Sequence, residues 1–497
     1  MISANSNSGP SEKDFLFALI KSLDEREYGF VLSFARKGKY KATQKEKLLS
    51  DMRKQKEYNP KLLRPKYKQY NVLRFHLKNM IFQALRLFHE EANADQRIEI
   101  HIRNEMILYQ KGFFHESERE YNRAIGLAIE YQNLGMILKL YQIKIFRVQE
   151  LKTRDLVPVI KNLCTEIMSV LGIYSQQLKA FQTYQELFAA YRTEDGSSPE
   201  PIDQASSLKP DEIDFYRQFY IHSADGLKAH LNGDIHQAIL ITEKMVKLFE
   251  DVPAIKEENH LKYKVLLSNL GVLSIGVQDY DKVAEIIEKF KSGKENTFNE
   301  EAEVFQNLIH LELLLMVNEK KYEGAEDLTQ RAEAGMTKYG AKVNAARKLS
   351  IWYNLLLLYM IKEDYRAAHK MVNQIIDHKR LQVRKEVQYT TRLLELIIYF
   401  ELELWEYSRP KFTALSKYLE RKGRKTEFKY AVIKHMRSLV ESAEQKQVQI
   451  YQKLEEALFK LASDDDNEDK LGLTLVAAWT ASKLGRGSVR DCLQEIS

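Results

Sequence analysis

Two asparagines raise the first question of chemistry: Asn269 in LSNLGVL and Asn354 in WYNLLLL each stand directly before a leucine, Leu270 and Leu355, inside apolar runs. A side-chain amide carries donors and an acceptor together, the combination that can pair with the backbone of an extended peptide. Reactive constellations are absent from the pattern. Twelve histidines are scattered, and no G-x-x-x-x-G-K-[ST], H-E-x-x-H, G-x-S-x-G or paired C-x-x-C occurs to cradle phosphate, hold zinc or present a nucleophile. The acidic run SDDDNED, 463–469, has the residue types of a calcium loop, but it lacks the sharp-turn glycine and has Leu475 where a bidentate glutamate is required. Cys164 and Cys492 are too few for a disulfide framework or a four-thiolate metal site and are expected to be plain thiols, Cys164 buried. The expectation is a non-enzymatic chain with no cofactor.

A second chemistry is phosphate contact. Residues 31–80 hold fifteen Lys or Arg against Glu46, Asp51 and Glu57, so this segment alone carries +12 and the remainder about −6. Its cations include Lys37, Lys39, Lys41, Lys45, Lys47, Arg53, Lys54, Lys56, Lys61, Arg64, Lys66 and Lys68, interleaved with Tyr40, Tyr58, Tyr67 and Tyr70. Such a mixture can grip phosphates and stack bases. No helix-turn-helix, RNP or zinc-finger pattern accompanies it, and charged helix faces are commonly only solvated.

The elements that must position these residues are helices. Nine prolines and twenty glycines in 497 residues, with abundant Leu, Lys, Glu, Ala and Gln, favour long helices and short connections. A chain of this length exceeds one growing core, so it is multidomain or an elongated array. MISANSNSGPSEKD has no apolar leader core, and LELLLMV and LLLLYMI, taken as the richest apolar runs, fall short of the about 20 residues that span a bilayer. A cytoplasmic protein without membrane contact is expected.

In residues 351–376, IWYNLLLLYMIKEDYRAAHKMVNQII, helical spacing runs to Met360, KED interrupts it, and a second helical pattern starts at Tyr365 with Ala368 one turn in. The same hairpin recurs around Gly112, Phe114, Tyr121 and Ala124, around Gly233, Ile235 and Ala238, then with Gly271 and Tyr280, with Tyr322 and Ala325, and with Tyr407, where Pro410 takes the alanine position. Markers at 235, 280, 322, 365 and 407 give steps of 45, 42, 43 and 42. A step of 42 from Phe114 reaches Leu156, heading LVPVIKNLCTEI as a degenerate second helix, and one from Tyr407 reaches the region of Tyr451. The glycines are expected at turns, where a left-handed conformation costs them nothing.

This pattern resembles the tetratricopeptide repeat, whose first helix carries W-x-x-L and whose second opens with an aromatic followed by alanine, here with a longer period than the standard 34 residues. The resemblance covers about 95–462 and implies an all-α, right-handed α-solenoid whose first helices line a concave surface for an extended partner. It assigns Asn269 and Asn354 to a peptide's backbone. The other groove positions in this register are Ile102, Met106, Tyr109, Leu227, His230, Val272, His310, Leu314, Tyr353 and Met360. Being mostly apolar or aromatic, they depart from the Lys/Asn/Arg clamp of chaperone-binding members. Around the array the reading places a disordered N-terminus, 1–12, a basic helical domain of three or so helices, 13–92, a flexible loop at 194–210, an acidic linker, 463–470, and a capping helix and tail, 471–497, with Trp479. Residues Leu73, Leu77, Ile81 and Leu85 form the apolar stripe of the last basic-domain helix. Two functions compete: a scaffold that binds a protein or peptide, and a regulator or RNA-associated factor whose residues 31–80 contact nucleic acid. Oligomeric state stays open.

Overall fold

The computed structural model describes residues 15–36, 42–90, 93–148, 156–193, 214–292, 295, 297–377, 385–421, 427–462 and 470–496. Among them every regular element is helical. The expected loop at 194–210, the acidic run 463–469 and residues 1–12 lie outside the described residues, as do Lys37, Lys39, Tyr40 and Lys41. The chain divides into two units, Met1–Ala224 with Leu248–Asn259, and Asp225–Lys247 with His260–Ser497.

In the first unit, the basic segment forms α1 (Phe15–Ser22), α2 (Glu25–Arg36), α3 (Gln44–Lys54), α4 (Pro60–Leu63) and α5 (Tyr70–Phe88). This is more than three helices, because local caps cut the chain where apolar periodicity alone runs on. Asp24 and Glu27 each accept the other's backbone N–H, a capping box that starts α2. Thr43 caps α3, and Asn59 followed by Pro60 starts α4. Leu77 and Ile81 of the predicted stripe are fully buried with Leu16, Ile20, Leu48 and Met52, while Leu73 and Leu85 pack against this core. Next come α6 (Ala94–Gln110), α7 (Phe114–Glu130), α8 (Leu134–Val148) and α9 (Leu156–Thr193). Ile98, Ile102, Ala124, Ala128, Ile137, Leu140 and Val170 close a core among them. Leu156 does begin a helix, but α9 is one uninterrupted element of 38 residues.

The chain then continues through α10 (Phe215–Leu231), α11 (Ile235–Asp251), α12 (Pro253–Glu258), α13 (His260–Gly276), α14 (Tyr280–Lys291), α15 (Phe298–Glu319), α16 (Ala325–Tyr339), α17 (Ala345–Ile361), α18 (Tyr365–Ile376), α19 (Lys385–Glu401) and α20 (Trp405–Arg421). It ends in α21 (Glu427–Glu441), α22 (Glu444–Ala462), α23 (Lys470–Lys483) and α24 (Val489–Glu495). From α13 to α24 consecutive helices pack on one another as neighbours.

One turn recurs in these hairpins. A left-handed residue ends the first helix, and the N–H of the next residue reaches back five positions: Phe113 to Leu108 O, Asp234 to Ala229 O, Asp279 to Ser274 O, Asp364 to Tyr359 O and Leu404 to Tyr399 O, all at 2.8–2.9 Å. This Schellman closure satisfies carbonyls that the helix end leaves free. Asp234, Asp279 and Asp364 then cap the following helix through their side chains. Gly233 occupies the left-handed position with φ 70°, yet Gln278, Glu363 and Glu403 do the same at 61°, 58° and 56°. Glycine was therefore too narrow a marker.

Three expected registers need correction. Gly271 sits inside α13, not at a turn, and a Cβ there would fall 2.7 Å from Leu311 Cδ1, so its role is the close approach of α15. At the fifth marker the helix opens with Trp405, two residues before Tyr407, and Pro410 is an exposed interior residue of α20. Tyr322 also precedes its helix, being buried in the turn before Ala325.

A continuous core runs from Ile309 to Leu493 in the second unit. Trp352 and Tyr365 pack against it, half-buried, whereas Trp479 is fully enclosed between Phe400 and Tyr451 and donates from Nε1 to Glu401 Oε1 at 2.7 Å. Beyond it α24 returns to the tips of earlier hairpins. Glu363 accepts from Val489 N at 2.8 Å, Lys320 Nζ donates to Ile496 O at 2.7 Å, and Arg490 pairs with Glu323.

Candidate binding surfaces

The two asparagines are not equivalent in the folded chain. Asn269 is exposed on α13, but Asn354 is only 4% exposed, and its amide donates to Ser350 O, one turn back in α17, at 2.8 Å. Residues on every side of α17 near Asn354 are buried, so an amide there has no water to face and turns to its own backbone. Asn354 is a core residue, and its expected place on an open face is corrected accordingly.

The remaining groove positions divide similarly. Ile102, His310 and Met360 are buried, Tyr109, Leu227, Leu314 and Tyr353 are half-buried, and Met106, His230 and Val272 are exposed. His310 Nδ1 accepts from Arg347, whose other nitrogen donates to Asn307 Oδ1 at 3.0 Å, tying α15 to α17. Ile102, Met106 and Tyr109 belong to the first unit and the other nine positions to the second. The twelve do not make one described surface.

Tyr109 belongs to a polar cluster that no sequence motif announced. Glu105, 3% exposed, pairs with Arg147 at 2.8 Å and accepts from Ser117 Oγ at 3.2 Å, while the Arg147 guanidinium lies 3.1 Å from the Tyr109 ring centroid. Glu105 Oε2, Arg147 Nε and the Tyr121 hydroxyl are buried without a hydrogen-bond partner. Burial, reinforced by Tyr141, Glu166 and Glu105 nearby, pushes the Tyr121 phenol well above its ordinary range. A lone buried carboxylate is costly, and the guanidinium over the ring repays part of that cost.

Around this cluster the first unit exposes apolar side chains. Met106 (46%), Ile107 (51%), Phe113 (55%) and Phe114 (61%) gather where α6 turns into α7, with Phe114 set edge-on to Tyr109 at 5.1 Å. Along α9 the exposed groups include Val157, Met168, Leu171, Leu178 and Phe181. Cys164 is exposed there as well, against the expectation of burial. Residues Leu156–Tyr191 form a helix long and apolar enough to cross a membrane by length and composition, and only 11% of its most apolar stretch is buried. The runs LELLLMV and LLLLYMI, taken from sequence as the richest, are instead core segments of α15 and α17.

The basic segment is partly consumed by its own fold. Arg53 donates to Ile20 O and Leu23 O at 2.7 and 2.8 Å, closing the end of α1, and Lys66 pairs with Asp51 at 3.4 Å. The Tyr67 hydroxyl donates to the same carboxylate at 3.0 Å, and burial together with that acceptor pushes its pKa up to about 12. Tyr70 is buried, its hydroxyl 3.1 Å from that of Tyr58, and Arg74 lies over both rings. These tyrosines are engaged in the fold and present no free faces for base stacking. Lys45 is half-buried; Lys47, Lys54, Lys56, Lys61, Arg64 and Lys68 remain exposed.

The clefts discriminate little between ligands. One of about 410 Å³ in the first unit is lined by Arg86, Glu90, Glu99 and Arg103 beside Phe34 and Leu87, so charges of both signs face it. Among the described residues no group of three or more His, Cys, Asp or Glu is arranged to hold a metal ion. No protein-family model matches the chain, and comparison with curated proteins finds no significant relative.

Proposed function

We propose that this chain is a non-enzymatic cytoplasmic scaffold whose tetratricopeptide-like hairpins, wound right-handed, bind a protein or peptide. The observation that carries the reading is the apolar tip of the α6–α7 hairpin, where Met106, Ile107, Phe113 and Phe114 face solvent around Tyr109. Exposed aromatic and Met side chains beside a rigid polar cluster are the composition of interaction hot spots. The Schellman turn is common to helix ends in general, but its recurrence with a capping aspartate at Asp234, Asp279 and Asp364, at the spacing read from the sequence, supports a repeat origin for the hairpins. The test is a peptide-library selection on the purified chain, repeated with a Met106→Asp/Phe114→Asp variant of unchanged helicity. Peptides lost by the variant support the tip as the binding surface, and peptides retained equally by both place binding elsewhere.

A second reading is kept alive by the six exposed cations Lys47, Lys54, Lys56, Lys61, Arg64 and Lys68. With Tyr58, Tyr67 and Tyr70 engaged, nucleic-acid contact by the described residues would rest on phosphate charge. Affinity for DNA or RNA should then fall steeply with salt, with little preference for sequence. Absence of salt-sensitive retention on both removes this reading.

A further inference from the structure

The stripe along α9 has the spacing of a helix-packing face. Val157, Ile160, Cys164, Met168, Leu171 and Leu178 follow one another at three, four or seven residues, with Ser175 between Leu171 and Leu178. All except Ser175 are apolar or thiol-bearing, and all are exposed, Met168 to 71% and Val157 to 62%. The adjoining side of the helix is the one its own unit uses, through Val170, Ile173 and Tyr174, and Phe181, one turn beyond Leu178 on that side, stands edge-on to Tyr220 at 5.1 Å. From Val157 to Leu178 the stripe runs about 32 Å. It presents on the order of 500 Å² of apolar surface, large for a single patch on a monomer, and its flanks would supply the rest of the roughly 800 Å² per partner of a stable interface.

We infer that α9 is a self-association surface, packing antiparallel against α9 of a second copy about a two-fold axis near the helix midpoint. Charge selects this occupant. Exposed Lys161 lies on the stripe's edge near its N-terminal end, and exposed Glu186, which accepts from Gln182 at 2.8 Å, lies along the same edge two turns beyond Leu178. An antiparallel copy brings each lysine toward the other copy's glutamate, and a two-fold interface of this kind is self-complementary. A lipid surface fits less well: within Leu156–Thr193 the cations Lys161, Lys179 and Arg192 are nearly balanced by Glu166 and Glu186, whereas helices that lie on membranes carry a basic face.

The experiment is sedimentation of the full chain at micromolar concentrations, comparing wild type with Leu171→Glu/Leu178→Glu. A dimer that becomes monomeric in the variant at unchanged helicity supports the inference. A monomeric wild type overturns it, as does a dimer indifferent to the variant. Cys164 offers an independent readout, because it should react with a bulky maleimide several-fold faster in the double variant than in the dimer. Orientation is tested by charge exchange: Lys161→Glu alone should weaken the dimer several-fold, and Lys161→Glu/Glu186→Lys should restore it. Failure of the exchange to restore association overturns the antiparallel arrangement. A monomer retained on neutral or anionic lipid vesicles, and released by Leu171→Glu/Leu178→Glu, would assign the stripe to a membrane instead.

Discussion

Helices α9 and α17 are both rich in apolar residues and have opposite fates. In α17 eleven residues are buried, including every one from Asn354 to Ile361, and the leucines face neighbours all round. In α9 apolar residues of similar kind stand in solvent, while the neighbouring helices α6 and α8 are joined by an ion pair, Glu105–Arg147, whose carboxylate is buried. The contrast teaches that apolar content does not locate a core. A helix is buried according to how many sides its neighbours cover, and α9 is covered on one.

Four measurements break or sharpen this comparison. Arg147→Met should have the largest effect, destabilising the first unit by about 3 to 5 kcal/mol, because Glu105 is left charged and buried without its partner. Urea unfolding followed in the first unit checks it, and a much smaller loss would mean that water reaches the carboxylate. Leu358→Ala, at a fully buried position of α17, should cost about 2 to 5 kcal/mol, whereas Leu178→Ala on the α9 stripe should stay within about 0.5 kcal/mol when measured on the dissociated chain. Equal losses would erase the distinction between the two helices.

The hairpin crossings and turns give smaller effects. Ala368 is fully buried where α18 meets its neighbours, so Ala368→Leu should overpack the site by about 1 to 3 kcal/mol, read as a lowered melting temperature. Smallest is the asparagine pair. Asn354→Ala should cost about 0.5 to 1.5 kcal/mol by removing a buried amide's hydrogen bond, while Asn269→Ala on the exposed face of α13 should leave the melt unchanged. A melt equally sensitive to both would restore their equivalence.

Much of the architecture was legible. Phe114, Leu156, Ile235, Tyr280 and Tyr365 were picked out as markers and each begins a helix, since an aspartate or a left-handed residue beside an apolar one is a local signal. The candidate site was less legible. His310, Asn354 and Met360 sit on helices in the anticipated places, yet their side chains are enclosed by elements distant in sequence.

What the sequence determined by itself is therefore what closes within a few residues: helical content, the hairpin turns before Phe114, Ile235, Tyr280 and Tyr365, and the capping of α2, α3 and α18 by Asp24, Thr43 and Asp364. The tertiary structure alone decided which faces of those helices meet water. Periodicity says that a stripe is apolar, but burial depends on a second surface arriving from elsewhere in the chain. Leu311 closing on Gly271, Arg147 reaching Glu105 and Trp479 reaching Glu401 are long-range contacts of this kind, and no local spacing encodes them.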